Sequence, residues 1–185
     1  MGKFKFKDTG IKDLFIIEPA VFGDHRGYFM ETYNEQDFKE AGLNMVFVQD
    51  NQSKSSKGVL RGLHFQYKYP QGKLVRVIKG EIFDVAVDLR KSSDTYGKWF
   101  GAFLSEDNKK QLYVPEGFAH GVLITSDEAE LVYKCTNLYH PEDEGGLLWN
   151  APDIGIEWPE EKVGNIVLSE KDAKWQGLND TKIYF

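Results

Sequence analysis

The chain has 185 residues, a mass of 21.2 kDa and 41% hydrophobic residues, enough for one domain over residues 1–185 with its own core and no supporting metal or disulfide. Its 23 Lys and Arg against 29 Asp and Glu give a net charge of −6, which argues against nucleic acid and anionic membranes as partners. An anionic ligand therefore requires a local basic pocket. The N-terminus offers no apolar stretch for a signal peptide or a membrane span, and the single Cys135 forms no intrachain disulfide, so we expect a cytoplasmic protein.

Short runs rich in Val, Ile, Phe and Tyr recur between Gly, Pro and Asn residues, which predicts a mostly β chain. The predicted strands cover residues 14–17, 28–33, 45–49, 59–66, 74–78, 82–89, 99–104, 111–114, 121–124, 131–137 and 147–149. Lys79-Gly80, between two of these runs, is typical of a tight hairpin turn. A strand number of this size fits a sandwich or a barrel.

Helix signals are few. Residues 34–42 begin with the N-cap candidate Asn34 and end at a glycine, and Ser169 with Asp172 resembles a capping box before a short C-terminal helix. We expect the acidic segment 141–146 to be a solvated loop, and Cys135 to be buried in a strand. No repeat, low-complexity tract or linker indicates a domain boundary.

Residues 58–66, Gly-Val-Leu-Arg-Gly-Leu-His-Phe-Gln, carry the most informative pattern. Strand alternation divides them into two faces, with Gly62, His64 and Gln66 on one and Arg61, Leu63 and Phe65 on the other. Gly62 leaves room for a ligand beside His64, and an imidazole can act as a base near neutral pH. From this strand alone, a core histidine satisfied by hydrogen bonds is the favoured interpretation.

The spacing Pro115-x-Gly117-x-x-His120 resembles the second cupin motif, in which a Pro-Gly turn directs the histidine into a barrel interior. The first cupin motif supplies two histidines one residue apart and a carboxylate. Here Gln66 stands where the second histidine would be, so a three- or four-ligand metal site is poorly supported and we expect none. Cupins include isomerases, dioxygenases, storage proteins and sugar-sensing regulators, so the fold alone does not choose a function.

Ten segments share one order along the chain. They are residues 22–31, 48–51, 60–66, 70–75, 115–120, 132–134, 139–141, 144–145, 148–150 and 169–172. Together they resemble the dTDP-4-dehydrorhamnose 3,5-epimerase family over nearly the full chain. This resemblance implies a cupin-type jelly-roll barrel with a few short peripheral helices, no cofactor and no metal. It also implies epimerisation of dTDP-4-dehydro-6-deoxyglucose at C3 and C5, beside the C4 ketone, to dTDP-4-dehydro-L-rhamnose in dTDP-L-rhamnose biosynthesis.

The same resemblance implies roles in proton transfer. His64 matches the proton acceptor, Asp172 the carboxylate that orients it, Lys73 the cation near the C4 oxygen, and Tyr133 the proton donor on the opposite face. Taken singly, Asp172 is equally a helix cap, Lys73 a surface lysine and Tyr133 a half-buried strand tyrosine.

Further residues match substrate contacts. Arg26, Arg61 and Lys171 match residues that recognise the nucleotide and its diphosphate. Phe29 and Glu31 match residues that contact thymine from one strand face, and Tyr139 matches a residue on the other side of the thymine. Four more residues match further substrate contacts, namely Gln49, Asn51, His120 and Glu144. The family exchanges N-terminal strands in a homodimer, which implies that residues 26–31 complete the partner's pocket. His25 and Val122 depart from the family's pattern, but neither is a residue to which a proton-transfer role is assigned.

Three alternatives stay open. A monofunctional relative would invert C3 or C5 alone, although Tyr133 together with Tyr139 favours the bifunctional form. A non-catalytic cupin that binds a nucleotide sugar would tolerate loss of His64, whereas the full set of matched residues argues for catalysis. A metal-dependent cupin isomerase or oxygenase would need the missing second histidine.

Overall fold

The computed structural model describes residues 3–185, which form thirteen β-strands, one α-helix and four short 3-10 helices. The strands are β1 (Phe4–Asp8), β2 (Phe15–Pro19), β3 (Val21–Asp24), β4 (Gly27–Met30), β5 (Gln49–Ser56), β6 (Leu60–Gln66), β7 (Lys73–Lys79), β8 (Glu81–Asp88), β9 (Trp99–Ser105), β10 (Gln111–Val114), β11 (Phe118–Ile124), β12 (Glu128–Cys135) and β13 (Glu144–Gly146). The helices are α1 (Glu35–Glu40) and the 3-10 helices Pro141–Asp143, Glu160–Lys162, Asp172–Lys174 and Leu178–Asp180.

Two antiparallel sheets face each other. The six-stranded sheet has the order β1-β2-β10-β7-β12-β5, and the five-stranded sheet has the order β13-β6-β11-β8-β9. Buried side chains from both sheets form the interior core, among them Ile16, Val75, Val77, Ile82, Ala86, Leu112, Val122 and Leu131. The strands β3 and β4 form a separate hairpin. This architecture confirms the predicted all-β class and jelly-roll barrel.

The five-stranded sheet is covered on both faces. Every residue of β11 is buried, and so is every residue of β8 after Glu81. Ile82 and Ala86 belong to the interior core, whereas Val85 and Val87 pack under the C-terminal part of the chain. A strand buried on both faces needs apolar residues at successive positions, which explains why these two strands are mainly apolar, with Asp84, Asp88 and His120 as exceptions.

Helix α1 packs on the outer face of the six-stranded sheet. The Asn34 side chain accepts hydrogen bonds from two backbone amides of the first turn, at 3.1 and 3.2 Å, and Gly42 follows the helix with a φ of +86°. Phe38 is fully buried in a cluster with Ile17 and Leu74 of the sheet. These contacts confirm the helix predicted over residues 34–42. None of the helices within residues 3–185 has the length and apolar character needed to cross a membrane.

Several predicted strand boundaries are wrong. The strand expected at residues 45–49 starts instead at Gln49 and continues through a polar stretch to Ser56. This strand, β5, is an edge strand held by backbone pairing to β12, and an exposed edge favours polar side chains that no apolar pattern reveals. The strand predicted over residues 28–33 ends at Met30, and the one predicted over 147–149 lies at Glu144–Gly146. Strands β1 and β3 have no predicted counterpart.

The acidic segment 141–146 is not the solvated loop that its composition predicts. Asp143 is buried, and its carboxylate accepts hydrogen bonds from the backbone amides of Lys68 and Tyr69 at 2.7 and 3.0 Å. The residues that follow pair with β6 as strand β13. Two amide donors compensate the carboxylate for lost water, so an acidic residue can anchor the loop that leaves β6.

The end of β8 carries another buried carboxylate, Asp88, whose side chain has no exposed area. It accepts hydrogen bonds from Arg90 at 2.9 Å and from the hydroxyls of Ser93 and Thr95 at 2.7 Å. Burial acts to raise the pKa of Asp88, but these hydrogen bonds outweigh it and lower the pKa to about 2. The ionised carboxylate therefore fixes the loop between β8 and β9.

We expect Asp88 to give the protein a pH-dependent stability. Its folded pKa of about 2 lies below the ordinary value of 3.8, so the ionised group stabilises the fold above about pH 4, and this contribution is lost as the pH falls toward 2. The shift corresponds to about 2 kcal/mol. Between pH 5 and pH 2, the free energy of unfolding measured in urea should fall by about 2 kcal/mol more in the wild-type protein than in Asp88→Asn, because asparagine cannot titrate. The same pH dependence in both proteins would contradict this role.

Candidate active site

A cavity of about 290 Å³ opens between the two sheets. Strands β5, β7 and β12 supply one wall, and β6, β11 and β13 supply the other. It brings together most of the predicted site residues, namely Gln49, Asn51, Arg61, His64, Lys73, His120, Tyr133, Tyr139 and Glu144. Ligand pockets span roughly 300–1,000 Å³, so this cavity is at the small end of that range.

A larger cavity of about 420 Å³ lies on the outer face of the six-stranded sheet. Leu74 and Arg76 line it, because strand alternation turns them away from Lys73 and Val75 of the same strand. In the described part of the chain, no histidine lines this outer cavity. The smaller cavity between the sheets is therefore the candidate active site, since it holds both a candidate base and a candidate acid.

His64 is paired with Asp172. Its Nε2 lies 2.5 Å from Asp172 Oδ1, and Trp175 Nε1 donates to the same oxygen at 3.3 Å. Burial acts to raise the pKa of Asp172, but the hydrogen bond and the charge of His64 outweigh it and the pKa is lowered. An ionised carboxylate only accepts hydrogen bonds, so in the neutral imidazole the proton sits on Nε2 and the lone pair on Nδ1. The pairing thus gives His64 the tautomer and orientation of a base.

The sequence around Asp172 predicts a capping box, and only half of one forms. The Asp172 backbone amide donates to Ser169 Oγ at 3.1 Å, at the start of the 3-10 helix Asp172–Lys174. The Asp172 carboxylate turns to His64 rather than back to the Ser169 amide. The helix-cap interpretation of this side chain is therefore wrong.

Arg61 lines the same cavity as His64, so the predicted division of β6 into two faces is wrong at this point. His64 pairs with His120, but Arg61 pairs with Val122, so three steps along β6 match two along β11. This β-bulge breaks the alternation and lets both side chains face the cavity. Arg61 Nε also donates to Ser55 Oγ at 3.1 Å, which holds the guanidinium at the wall.

Gly62 lies at the centre of the bulge. Its φ is +131°, and a Cβ at this position would come within 2.6 Å of the Gly121 Cα and 2.8 Å of the His120 carbonyl oxygen. The glycine therefore allows β6 and β11 to approach closely. The prediction that it leaves ligand space beside His64 is wrong.

Lys73 and Tyr133 lie on the opposite wall from His64. Their strands pair so that Val75 is opposite Tyr133 and Lys73 is opposite Cys135, which places both side chains on one face. Burial lowers the pKa of Lys73, although Cys135 and other nearby acidic groups act against it. Burial also raises the pKa of Tyr133, so the phenol keeps its proton at neutral pH. Cys135 is buried, as predicted.

His120 has a carboxylate partner of its own. Its Nε2 lies 2.6 Å from Asp84 Oδ1, and Asp84 has no exposed area. Asp84 is not among the site residues that the sequence predicts. The available signal is a carboxylate in the middle of the apolar strand β8, because a buried charge is costly unless it is paired.

At the cavity mouth, Lys171 Nζ lies 2.6 Å from Glu144 Oε2, and the Tyr139 hydroxyl donates to the same oxygen at 3.5 Å. Gln49 Oε1 accepts from the Tyr139 backbone amide at 2.9 Å. Lys171, which does not line the cavity itself, is thereby held at its edge. With Arg61 and Lys73, the mouth and walls supply the local positive charge that an acidic protein needs for an anionic ligand.

Gln66, at the position of the second cupin ligand, is buried and holds loops together. Its Nε2 donates to the carbonyls of Tyr69 and Leu138 at 2.6 and 3.1 Å, and its Oε1 accepts from the His140 amide at 2.7 Å. Across residues 3–185, no group of three or more His, Cys, Asp or Glu side chains is arranged to hold a metal ion.

Besides Lys171 at the edge, three predicted substrate contacts do not line the cavity. Arg26 is in the turn of the β3–β4 hairpin and pairs with Asp24 at 2.5 Å. Phe29 is 65% exposed on β4. Glu31 follows the end of this strand, so it lies outside the strand face predicted for it, and it pairs with Lys3.

Known proteins resemble this chain over its whole length. The family model described as dTDP-4-dehydrorhamnose 3,5-epimerase matches residues 8–180. The dTDP-4-dehydrorhamnose 3,5-epimerase of Methanothermobacter thermautotrophicus is 59% identical over 184 residues, which cover 100% of both chains.

Two solved structures share the fold. The crystal structure of dTDP-4-dehydrorhamnose 3,5-epimerase from Elizabethkingia anophelis NUHP1 is 51% identical, with a TM-score of 0.91 over 97% of this chain and 99% of that one. A 3,5-epimerase from Legionella pneumophila Philadelphia 1, in complex with dTDP-4-keto-L-rhamnose, is 47% identical, with a TM-score of 0.92 over 97% and 95%. The chain therefore belongs to the dTDP-4-dehydrorhamnose 3,5-epimerase family of isomerases.

Proposed function

We propose that the protein epimerises dTDP-4-dehydro-6-deoxyglucose at C3 and C5 and forms dTDP-4-dehydro-L-rhamnose. The observation that carries this proposal is the placement of His64 and Tyr133 on opposite walls of one cavity. Inversion requires that a proton leave one face of a carbon and that another arrive on the opposite face. A base on one sheet and an acid on the facing sheet supply this arrangement.

His64 Nδ1 takes the proton from C3 or C5, and the electron pair of the C–H bond moves toward the C4 oxygen to form an enolate. The proton gives His64 a positive charge, which the ionised Asp172 stabilises at 2.5 Å. This pairing also fixes the orientation of the imidazole. Each carbon is treated in turn by the same group.

Lys73 and Tyr133 act on the enolate from the other wall. The desolvated Lys73 ammonium stabilises the negative oxygen, and such a fixed charge is worth a few kcal/mol in a site that excludes water. Tyr133 then gives its proton to the carbon, which completes the inversion. Solvent then returns a proton to Tyr133 and accepts the proton held by His64, so each inversion is balanced.

Deuterium exchange tests the proposal. In deuterium oxide, NMR should show deuterium entering both C3 and C5 of dTDP-4-dehydro-6-deoxyglucose with the wild-type protein, with no effect of a chelator. His64→Asn should slow both exchanges by roughly 10²- to 10⁴-fold, because a general base is lost. His140→Asn is the matched histidine control and should exchange like wild type.

Each alternative has its own outcome in that experiment. Exchange at one carbon alone would indicate a monofunctional epimerase. Tight dTDP binding without exchange by the wild-type protein would indicate a binding protein. Loss of exchange with chelator would indicate a metal-dependent reaction.

Tyr133→Phe should separate proton removal from proton delivery. His64 remains, so deuterium should still enter C3 and C5 with retained configuration, whereas formation of the epimer should fall roughly a hundredfold. NMR of the sugar ring distinguishes retention from inversion. Tyr96→Phe, which alters a tyrosine outside the cavity, is the control. Normal epimer formation by Tyr133→Phe would remove Tyr133 as the donor.

We also propose that two chains form a homodimer through the β3–β4 hairpin. All residues of β3 are exposed, and the hairpin carries Phe22 at 61%, Tyr28 at 60% and Phe29 at 65% exposure. A two-stranded hairpin is marginal by itself in water, and a contiguous apolar patch indicates an interface. On a partner's cavity, the same hairpin would supply Arg26 and Phe29 to the nucleotide, for which a cavity of about 290 Å³ has little room.

Complementation tests this shared site. Arg26→Ala and His64→Asn should each be nearly inactive alone. When the two are co-expressed in equal amounts, half of the dimers are mixed and each holds one intact site, so about a quarter of all sites should be active. Val46→Ser, a change to an exposed apolar residue outside the hairpin, is the control and should stay active alone. No recovery in the Arg26→Ala and His64→Asn mixture would place each site within one chain.

A further inference from the structure

Asp84 occupies an unexpected position for a carboxylate. It faces the interior between Ile82 and Ala86, and all three residues have no exposed area. Moving a carboxylate out of water costs several kcal/mol, and an apolar residue of similar size would fill this place without that cost. Packing alone therefore does not account for an aspartate here.

The two oxygens of Asp84 have different surroundings. Oδ1 lies 2.6 Å from His120 Nε2, while Oδ2 is buried and has no hydrogen-bond partner within residues 3–185. The carboxylate of Asp172 differs, since its buried oxygen is shared by His64 and Trp175. One Asp84 oxygen thus orients an imidazole. Among the described residues, no hydrogen bond offsets the negative charge on the other oxygen.

A cation on the facing sheet lines the same cavity. Lys73 lines the same cavity as His120, and burial lowers its pKa while Cys135, Asp84 and Glu144 act to raise it. A carboxylate on the five-stranded sheet thereby influences a cation on the six-stranded sheet. In a site that excludes water, such an interaction is stronger than at the surface.

We propose that Asp84 is a positioning residue of the reaction, which holds His120 with Nε2 protonated and places a buried negative charge beside the cavity that His120 and Lys73 line. This inference rests on the proposed function. Because carboxylates only accept hydrogen bonds, the contact leaves Nδ1 of a neutral His120 as an acceptor for a substrate hydroxyl. Asp84 touches neither substrate nor reacting carbon, so it acts only through these two side chains.

Two substitutions test the role. Asp84→Leu removes the charge and the hydrogen bond and fills the same space with an apolar side chain. Replacing a buried charge in this way need not destabilise a fold. Asp84→Asn keeps the shape and one acceptor. Asp88→Asn is the matched control, because it changes a buried carboxylate on the same strand outside the cavity.

We expect kcat to fall roughly 10- to 100-fold in Asp84→Leu and less in Asp84→Asn, with KM changed less than about threefold, because the affected charge acts on the enolate. Asp88→Asn should lose stability but keep kcat. Long-range ¹H–¹⁵N spectra of the four histidines should show the Nε2-protonated tautomer at His120, identified with His120→Gln, and its loss in Asp84→Leu.

The outcomes separate the inference from the proposed function. Unchanged kcat in both Asp84 variants, or an unchanged His120 spectrum in Asp84→Leu, overturns the inference while wild-type exchange at C3 and C5 leaves the function intact. No exchange by the wild-type protein overturns the proposed function and the catalytic part of the inference together. A loss of thermal stability in Asp84→Leu with unchanged kcat in the folded protein means a structural role only and also overturns it.

Discussion

The covering of the five-stranded sheet on both faces is the constraint on which the site depends. A polar side chain within such a sheet is shielded from water, so its hydrogen-bond partner must come from the protein itself. Asp84 with His120 and Asp88 with Arg90 are two solutions on a single strand. The first lies at the cavity and the second at a loop, so one physical requirement gives function at one place and stability at another.

The two sheets divide the chemistry between them. The five-stranded sheet carries the imidazoles and the buried carboxylate Asp84, and the six-stranded sheet carries Lys73 and Tyr133. Packed sheets lie roughly 10 Å apart, a separation that a sugar ring can bridge. Each wall therefore faces a different side of a ring placed between them. The cations at this cavity also explain how a chain of net charge −6 can attract an anionic ligand.

The apolar strands could be predicted because burial leaves a local record in the sequence. Strands β7, β8 and β11 and helix α1 overlap their predicted ranges. Strand β5 could not be found in this way, since an edge is specified by backbone pairing with β12. Contacts between distant residues leave no local record either. Asp172 and His64 are 108 residues apart, and from the sequence only the family resemblance predicts that the two side chains pair, as they do at 2.5 Å.

Because of the bulge, the number of residues in β6 determines which of its side chains face the cavity. In a regular strand, residues three apart point to opposite faces, so positions 61 and 64 could never share a ligand. One extra residue changes this rule for a single step, and Arg61 and His64 then line the same cavity. Apart from Gly62, exchanging one side chain for another in this stretch would leave that arrangement in place. Removing a single residue would restore the regular pleat and turn one of the two groups away, so this strand can vary in composition far more readily than in length.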